Sequence, residues 1–212
     1  MKKLLFVLMA IFSLQFTVFS QSEVYLKKMK ETLQLMDSAK SVQDLQEVSA
    51  QFERIGDMEK TQWLPYYYAA LAQTNIGWMD QKMDKDKLAD KTKMIISKAE
   101  AIEKNSELFV LKNMVATQQM LVDPQNRWMS YGTEAGTALE TAKKLDPENP
   151  RIYYLQGMSM FSTPEAYGGG KDKAKPLFQK SVDLFRTNKP ASELHPKWGQ
   201  NIAEDMLAKC SS

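Results

Sequence analysis

Along most of this chain apolar residues recur every three to four positions, and nowhere do β-branched residues alternate at a period of two. Such a chain is confined to packed helices, with essentially no sheet. Ser41 stands before Val42, Leu45, Val48, Phe52 and Ile55, with Asp44 at the third helical position; this is an N-cap followed by an amphipathic stripe, which Gly56 is expected to end. Tyr25, Met29, Leu33 and Met36 form a similar stripe upstream. Downstream, residues 87 to 102 carry Leu88, Ile95, Ala99 and Ile102, and residues 108 to 121 are rich in Leu, Val and Met. Asp123-Pro124 and Asn149-Pro150 each set a capping side chain before a proline, whose missing N–H costs nothing at a helix start. Pro65 and Pro196 predict two further starts, giving about eight helices in all.

So many helices of similar length raise the question of a repeat. Ala135, Leu139, Ala142 and Pro147 have the spacing of the second helix of a tetratricopeptide repeat. Tyr153 with Gly157 matches the first helix of the next unit, and Ala174, Phe178 and Ser181 match its second. From Ala135 to Ala174 is 39 positions, five more than the 34-residue period, and the loop from Thr163 to Gly170 accounts for the excess. The chain resembles the tetratricopeptide superfamily, most clearly over residues 124 to 188 and in degenerate form over 22 to 121. The combination of Asn149-Pro150-Arg151, Thr163-Pro164, Gly168-Gly169-Gly170 and Pro196-Lys197-Trp198-Gly199 resembles small exported tetratricopeptide-like proteins of Gram-negative bacteria. A more distant similarity, through a proline and glycine loop between paired helices, is to the T component of TRAP transporters. The resemblance implies an all-α, right-handed solenoid of about four helix pairs.

Met1-Lys2-Lys3, an apolar run from Leu4 to Phe19 and the small residue Ser20 have the form of a secretory leader cleaved after Ser20. The run is interrupted by Ser13, Gln15 and Thr17 and falls short of the roughly 20 apolar residues of a spanning helix. The expected organisation is residues 1–20 as signal peptide and 21–212 as a single helical domain, placed in the periplasm or secreted, with no membrane span after cleavage. Lys2 and Lys3 leave with the leader, and removing those two from 28 basic residues leaves 26 against 26 acidic ones. A neutral surface argues against a nucleic-acid module, which needs a basic excess. Cys210 is the sole cysteine, so no internal disulfide braces the exported chain; it is expected at a frayed end. With 192 residues left, there is room for stacked helix pairs but not for an added catalytic domain.

Catalytic chemistry has little to rest on. Gly168-Gly169-Gly170-Lys171 lacks the GxxxxGK[ST] frame and follows no strand, and reads as a permissive turn. His195, the single histidine, has no recognisable partner for nucleophilic or metal chemistry and reads as a capping or surface residue. Neither a cofactor nor a metal is expected, and a hydrolase with spatially assembled carboxylates is the second alternative. Gly132 and Gly136, beside Ala135 and Ala138, predict close helix packing. The alternating charges from Lys82 to Lys93 read as a solvated connector and helix face.

Aromatic residues are the more informative set. Adjacent helical positions lie about 100° apart, so Tyr66, Tyr67 and Tyr68 cannot share one face. Trp63, Tyr67, Trp128, Tyr131, Tyr154, Tyr167 and Trp198 are the candidate groove residues, rigid rings that would hold a protein or peptide partner or a small apolar ligand on a concave face. The expected function is a non-catalytic binding module, with a periplasmic ligand-binding accessory of a transport system as the first alternative.

Overall fold

A computed structural model describes residues 23–211; the expected leader and cleavage after Ser20 fall outside them. The fold is all-α, and no strand occurs among the described residues. The long helices are α1 Glu23–Ser38, α2 Val42–Glu59, α3 Leu64–Met79, α4 Lys85–Glu100 and α5 Ser106–Val122. A single turn, α6 Pro124–Arg127, runs through a π-helical segment, Trp128–Gly132, into α7 Thr133–Leu145. Then come α8 Pro150–Ser162, a 3-10 turn at Glu165–Tyr167, α9 Lys171–Thr187 and α10 Gln200–Lys209. Consecutive helices pack as pairs, α1 on α2, α3 on α4, α5 on α7 and α8 on α9, with α10 against α9; α3 also touches α2 and α5.

The helix starts follow the capping chemistry. Ser41 Oγ accepts from the Asp44 amide while Asp44 returns a bond to the Ser41 amide, a reciprocal capping box. Asn149 caps Arg151, Asp123 caps Asn126, and Pro65 stands in the first turn of α3. Burial separates two kinds of helix. In α2, α4, α7 and α9 one stripe is buried and the rest faces water, whereas α3 and α5 are buried almost all round, as their near-continuous apolar sequences require. α3 is thus the central rod of the larger core.

The residues that carried the repeat resemblance are packing residues. An added Cβ at Gly157 would lie 2.7 Å from the Phe178 ring, so the bare backbone of α8 is what lets α9 approach. Ala174, Phe178 and Ser181 are buried there, and Ser181 Oγ donates to Pro150 O at 2.9 Å.

Several local expectations are corrected by tertiary contacts. Gly56 does not end α2, which continues to Glu59 and stops at Lys60 in the left-handed region; Gly56 makes room for the Tyr66 ring, 2.7 Å from where its Cβ would be. Pro196 lies in the irregular segment before α10, which starts only after Gly199, whose φ is 110°. An added Cβ at Gly132 would lie 3.2 Å from Met120 Sδ, but one at the exposed Gly136 would meet nothing within 4 Å, so only the first serves close packing. Cys210 is buried in a small core with Ala174, Phe178 and Met206 rather than at a frayed end. The amides of Gly168, Gly169 and Gly170 donate to Glu165 O, Pro164 O and Met160 O, so the glycine loop closes on itself and its donors are used.

Candidate functional site

The aromatic residues fall into two regions with opposite solvent access. The first is the sealed centre. Tyr66, Tyr67 and Tyr68 leave α3 in three directions and all three are buried. Tyr66 Oη donates to Asp57 Oδ1 of α2 at 2.7 Å, and this bond leads the effects that lower the Asp57 pKa. Tyr68 stacks on Phe52 and donates to Leu194 O at 2.7 Å. Tyr67 donates to Glu107 Oε2 at 3.2 Å and accepts from Trp198 Nε1 at 2.7 Å. Burial first, then the Glu107 carboxylate, push the Tyr67 phenol well above its ordinary pKa, so it remains a neutral hydrogen-bonding group.

Glu107 is the hub of this centre. Its other oxygen accepts from Asn149 Nδ2 at 2.8 Å and from Arg151 at 3.0 Å. The Arg151 residue is only 3% exposed, and its guanidinium lies over the Trp198 ring at 4.9 Å and the Phe185 ring at 5.5 Å. This desolvated ion pair joins α5 to α8 and to the non-helical residues 188–199, which return from α9 across α3. Trp63, Tyr67 and Trp198, three of the predicted groove residues, do come together here. They are covered by the chain itself, since Leu194 is buried against them and His195 meets Trp63 edge to face at 5.8 Å.

The second region is an open ledge of mixed polarity at the ends of α3 and α5. Gly77 decides its shape. An added Cβ there would sit 2.3 Å from Gln118 Oε1, so glycine lets the Gln118 side chain lie across α3 and donate to Thr74 O at 2.7 Å. One turn further on, Leu121 and Val122 then stand beside Trp78, and all three remain exposed. With Met83, Asp86, Gln118 and neighbouring residues they line a cleft of about 330 Å3. Lys85 Nζ donates to Gly77 O and Asp80 O, closing the end of α3 at the cleft's rim.

One edge of the ledge is held by an ionic clamp. Arg127 donates to both carboxylate oxygens of Asp86, at 2.9 and 2.8 Å, and to Gln119 O at 3.2 Å. Gln119 Nε2 adds a bond to Asp86 Oδ1 at 3.0 Å. Hydrogen bonds from Arg127 and then Gln119 hold the Asp86 carboxyl below the usual carboxylate range. Immediately after this clamp the backbone widens into the π-helical segment, which leaves Trp128 58% and Met129 66% exposed. Trp78, Leu121 and Val122 are exposed together at the cleft, and a grouped exposure of this kind marks a ligand or partner surface more than a scatter of single apolar residues does.

The seven predicted residues therefore do not share one face. Trp63 and Tyr67 are buried, and Trp198 is partly buried in the sealed centre. Trp128 is exposed at the start of the π-helical segment. Tyr131 is partly covered by Arg127 and Lys93, whose cationic groups lie 5.5 and 5.8 Å from its ring centre. Tyr154 packs on Phe178 in the smaller core, and Tyr167 projects 83% exposed from the glycine loop. Sequence reasoning passed over Leu121 and Val122; an apolar pair placed directly before the Asp123-Pro124 stop was the available signal.

The carboxylates with displaced pKa values, Asp44, Asp57 and Asp86, are all displaced downward by cap, phenol and guanidinium partners respectively. None is a proton donor poised near neutrality. No protein-family model matches the chain, and no curated protein matches it. Among solved structures, the HusA haemophore from Porphyromonas gingivalis is similar at 33% identity and a TM-score of 0.81, over 90% of this chain and 94% of that one. This chain belongs to the HusA haemophore family. A haemophore is a binding protein, and the chain is likewise non-catalytic. No helix among the described residues of this HusA relative is long and apolar enough to cross a membrane.

Proposed function

We propose that the chain is an exported haem-binding protein that seats the tetrapyrrole on the ledge formed by Trp78, Met83, Leu121 and Val122, with Trp128 and Met129, exposed on the segment after the Arg127–Asp86 clamp, as further contacts. The observation that carries this reading is the near full-length likeness to a haemophore, joined to the presence of an exposed cleft with Trp78, Leu121 and Val122 on its wall. Haem is here the cargo. Its planar apolar face suits indole and aliphatic contact, and thioethers are soft neighbours for iron. His195 does not serve, because its ring is engaged by Ser192 and Trp63. Lys82, exposed on the loop beside the cleft, supplies positive charge for the carboxylate edge of the tetrapyrrole. The order of helix contacts supports a tetratricopeptide-like stack, and the leader, cleaved after Ser20, delivers the protein to the periplasm or beyond. A peptide partner on the concave aromatic face is less well supported, since residues 194–198 occupy that face.

Haemin added to the mature protein should give a shifted Soret band and quench tryptophan fluorescence. Trp78→Ala combined with Leu121→Ser should weaken binding about tenfold or more, equivalent to about 1.4 kcal/mol. Absence of a spectral change, or equal binding by the variant, would overturn the assignment.

A further inference from the structure

The buried stripe of α7, which packs on α5, runs through Ala135, Ala138, Leu139 and Ala142. Carried back toward the N-terminus in steps of four and then three, it passes through Tyr131 and Trp128. An unbroken α-helix from Pro124 to Leu145 would therefore turn the Trp128 indole onto α5 with the rest of the stripe. The structure does the opposite. Trp128 is exposed, and the side chain that reaches inward is the one before it: Arg127 donates to Gln119 O of α5 and to both carboxylate oxygens of Asp86 of α4.

The π-helical stretch Trp128–Gly132 accounts for the exchange. A π turn holds one residue more than an α turn, and one residue is about 100° of rotation, so whatever precedes the stretch is turned by about one position relative to α7. Arg127 thereby takes the place that uninterrupted periodicity gives to Trp128. The wide turn is held from within. Ser130 Oγ donates to Arg127 O at 3.1 Å, and Thr133 Oγ1 donates to Met129 O at 2.7 Å. Gly132 lets the turn lie against α5, since an added Cβ there would stand 3.2 Å from Met120 Sδ.

We propose that this π turn is a positioning element of the ligand site: a one-residue register shift that exchanges Trp128 for Arg127 at the α5-facing position. Arg127 then braces the cleft wall through Asp86, while Trp128 and Met129 are presented to the tetrapyrrole. The ligand rests on the haem reading above; the register shift does not. Two observations point to a ligand rather than to packing. Trp128 keeps a large apolar ring in water although a buried stripe of matching period lies open to it. The residue that displaces it is bonded to Asp86, which itself lines the cleft. Single π turns of this kind are rare and occur frequently at functional sites.

The deciding experiment deletes Ser130, exposed in the middle of the stretch, from the mature protein. Solvent access of the Trp128 indole N–H, assigned with Trp128→Phe, is read in 1H–15N NMR spectra from broadening by a soluble nitroxide. Strong broadening is expected in the parent and protection in the deletion variant, with helical circular dichroism retained. Haemin affinity should fall as far as it does in Trp128→Ala. Adding Trp128→Ala to the deletion should then change affinity by less than about twofold, because the ring is already withdrawn.

Should the deletion prevent folding, Arg127→Ala with Thr133→Val removes the inward anchor and one hydroxyl bond, and the Trp128 signal should again become protected. A folded variant of either kind in which Trp128 stays as exposed as in the parent overturns the register shift. A deletion variant in which Trp128 is withdrawn but haemin binds as in the parent overturns its positioning role. Failure of the parent to bind haemin overturns the haem reading and with it the ligand assigned to Trp128, whereas the nitroxide result still decides the register shift.

Discussion

The sealed centre and the ledge are built from the same kinds of side chain, at comparable positions on helices that are equally apolar, yet one is inaccessible and the other open. Tyr67 and Trp78 stand on the same helix, α3, eleven positions apart. Tyr67 is covered because α5, α8 and residues 188–199 converge on it, bringing Glu107 and Trp198 to its hydroxyl. Trp78 is exposed because α3 ends at Met79 and the chain continues from there as a polar loop. An aromatic residue's role is thus set by the distant segment that does or does not cross it.

That contrast can be broken at the centre with the largest effect. Glu107→Ala leaves the Arg151 guanidinium buried without its carboxylate, and unfolding in urea should show a loss of about 3–5 kcal/mol. Pairing it with Arg151→Met should recover most of that loss, because the uncompensated charge is then gone. A loss under about 1 kcal/mol in the single variant would mean that water reaches the pair.

Packing at the smaller core comes next. Gly157→Val places side-chain atoms where the Phe178 ring already lies, and destabilisation of about 1–3 kcal/mol is expected from thermal unfolding. Equal melting temperatures would show that α8 and α9 separate easily.

The ledge should be far more tolerant. Asp86→Asn removes the carboxylate held by Arg127, but the pair is partly exposed, so a loss below about 1 kcal/mol is expected. The sign of its pH dependence is set by the lowered pKa of Asp86. Its contribution is present above the unfolded carboxylate value of about 3.9 and disappears as pH falls through the folded value, so parent and variant should converge in stability at acid pH. Trp128→Ala should change stability least, within about 0.5 kcal/mol, while weakening haemin binding. A large loss of stability there would place Trp128 among the core residues.

Much of the fold was legible because its signals are local. Ser41 with Asp44, Asn149 with Pro150, and the all-round apolar sequence of α3 act within a few residues of themselves, through amide capping and burial. Gly56 was misread for the opposite reason: its bare Cα serves a ring of the next helix, and nothing in its neighbours distinguishes that from a helix stop. Pro196 stands in irregular chain as readily as at a helix start. Of the exposed apolar residues, Trp128 was singled out by its residue type, whereas Leu121 and Val122 read as ordinary core positions in an apolar helix.

The amino-acid sequence by itself determined that this protein is helical, where most helices begin, and which residues let α8 and α9 touch. Tertiary structure alone decided which aromatic rings meet solvent. Capping and periodicity are fixed by atoms a turn or two apart, but the exposure of Tyr67 or Trp78 depends on chain segments up to 131 positions away, as the Trp198 to Tyr67 bond shows.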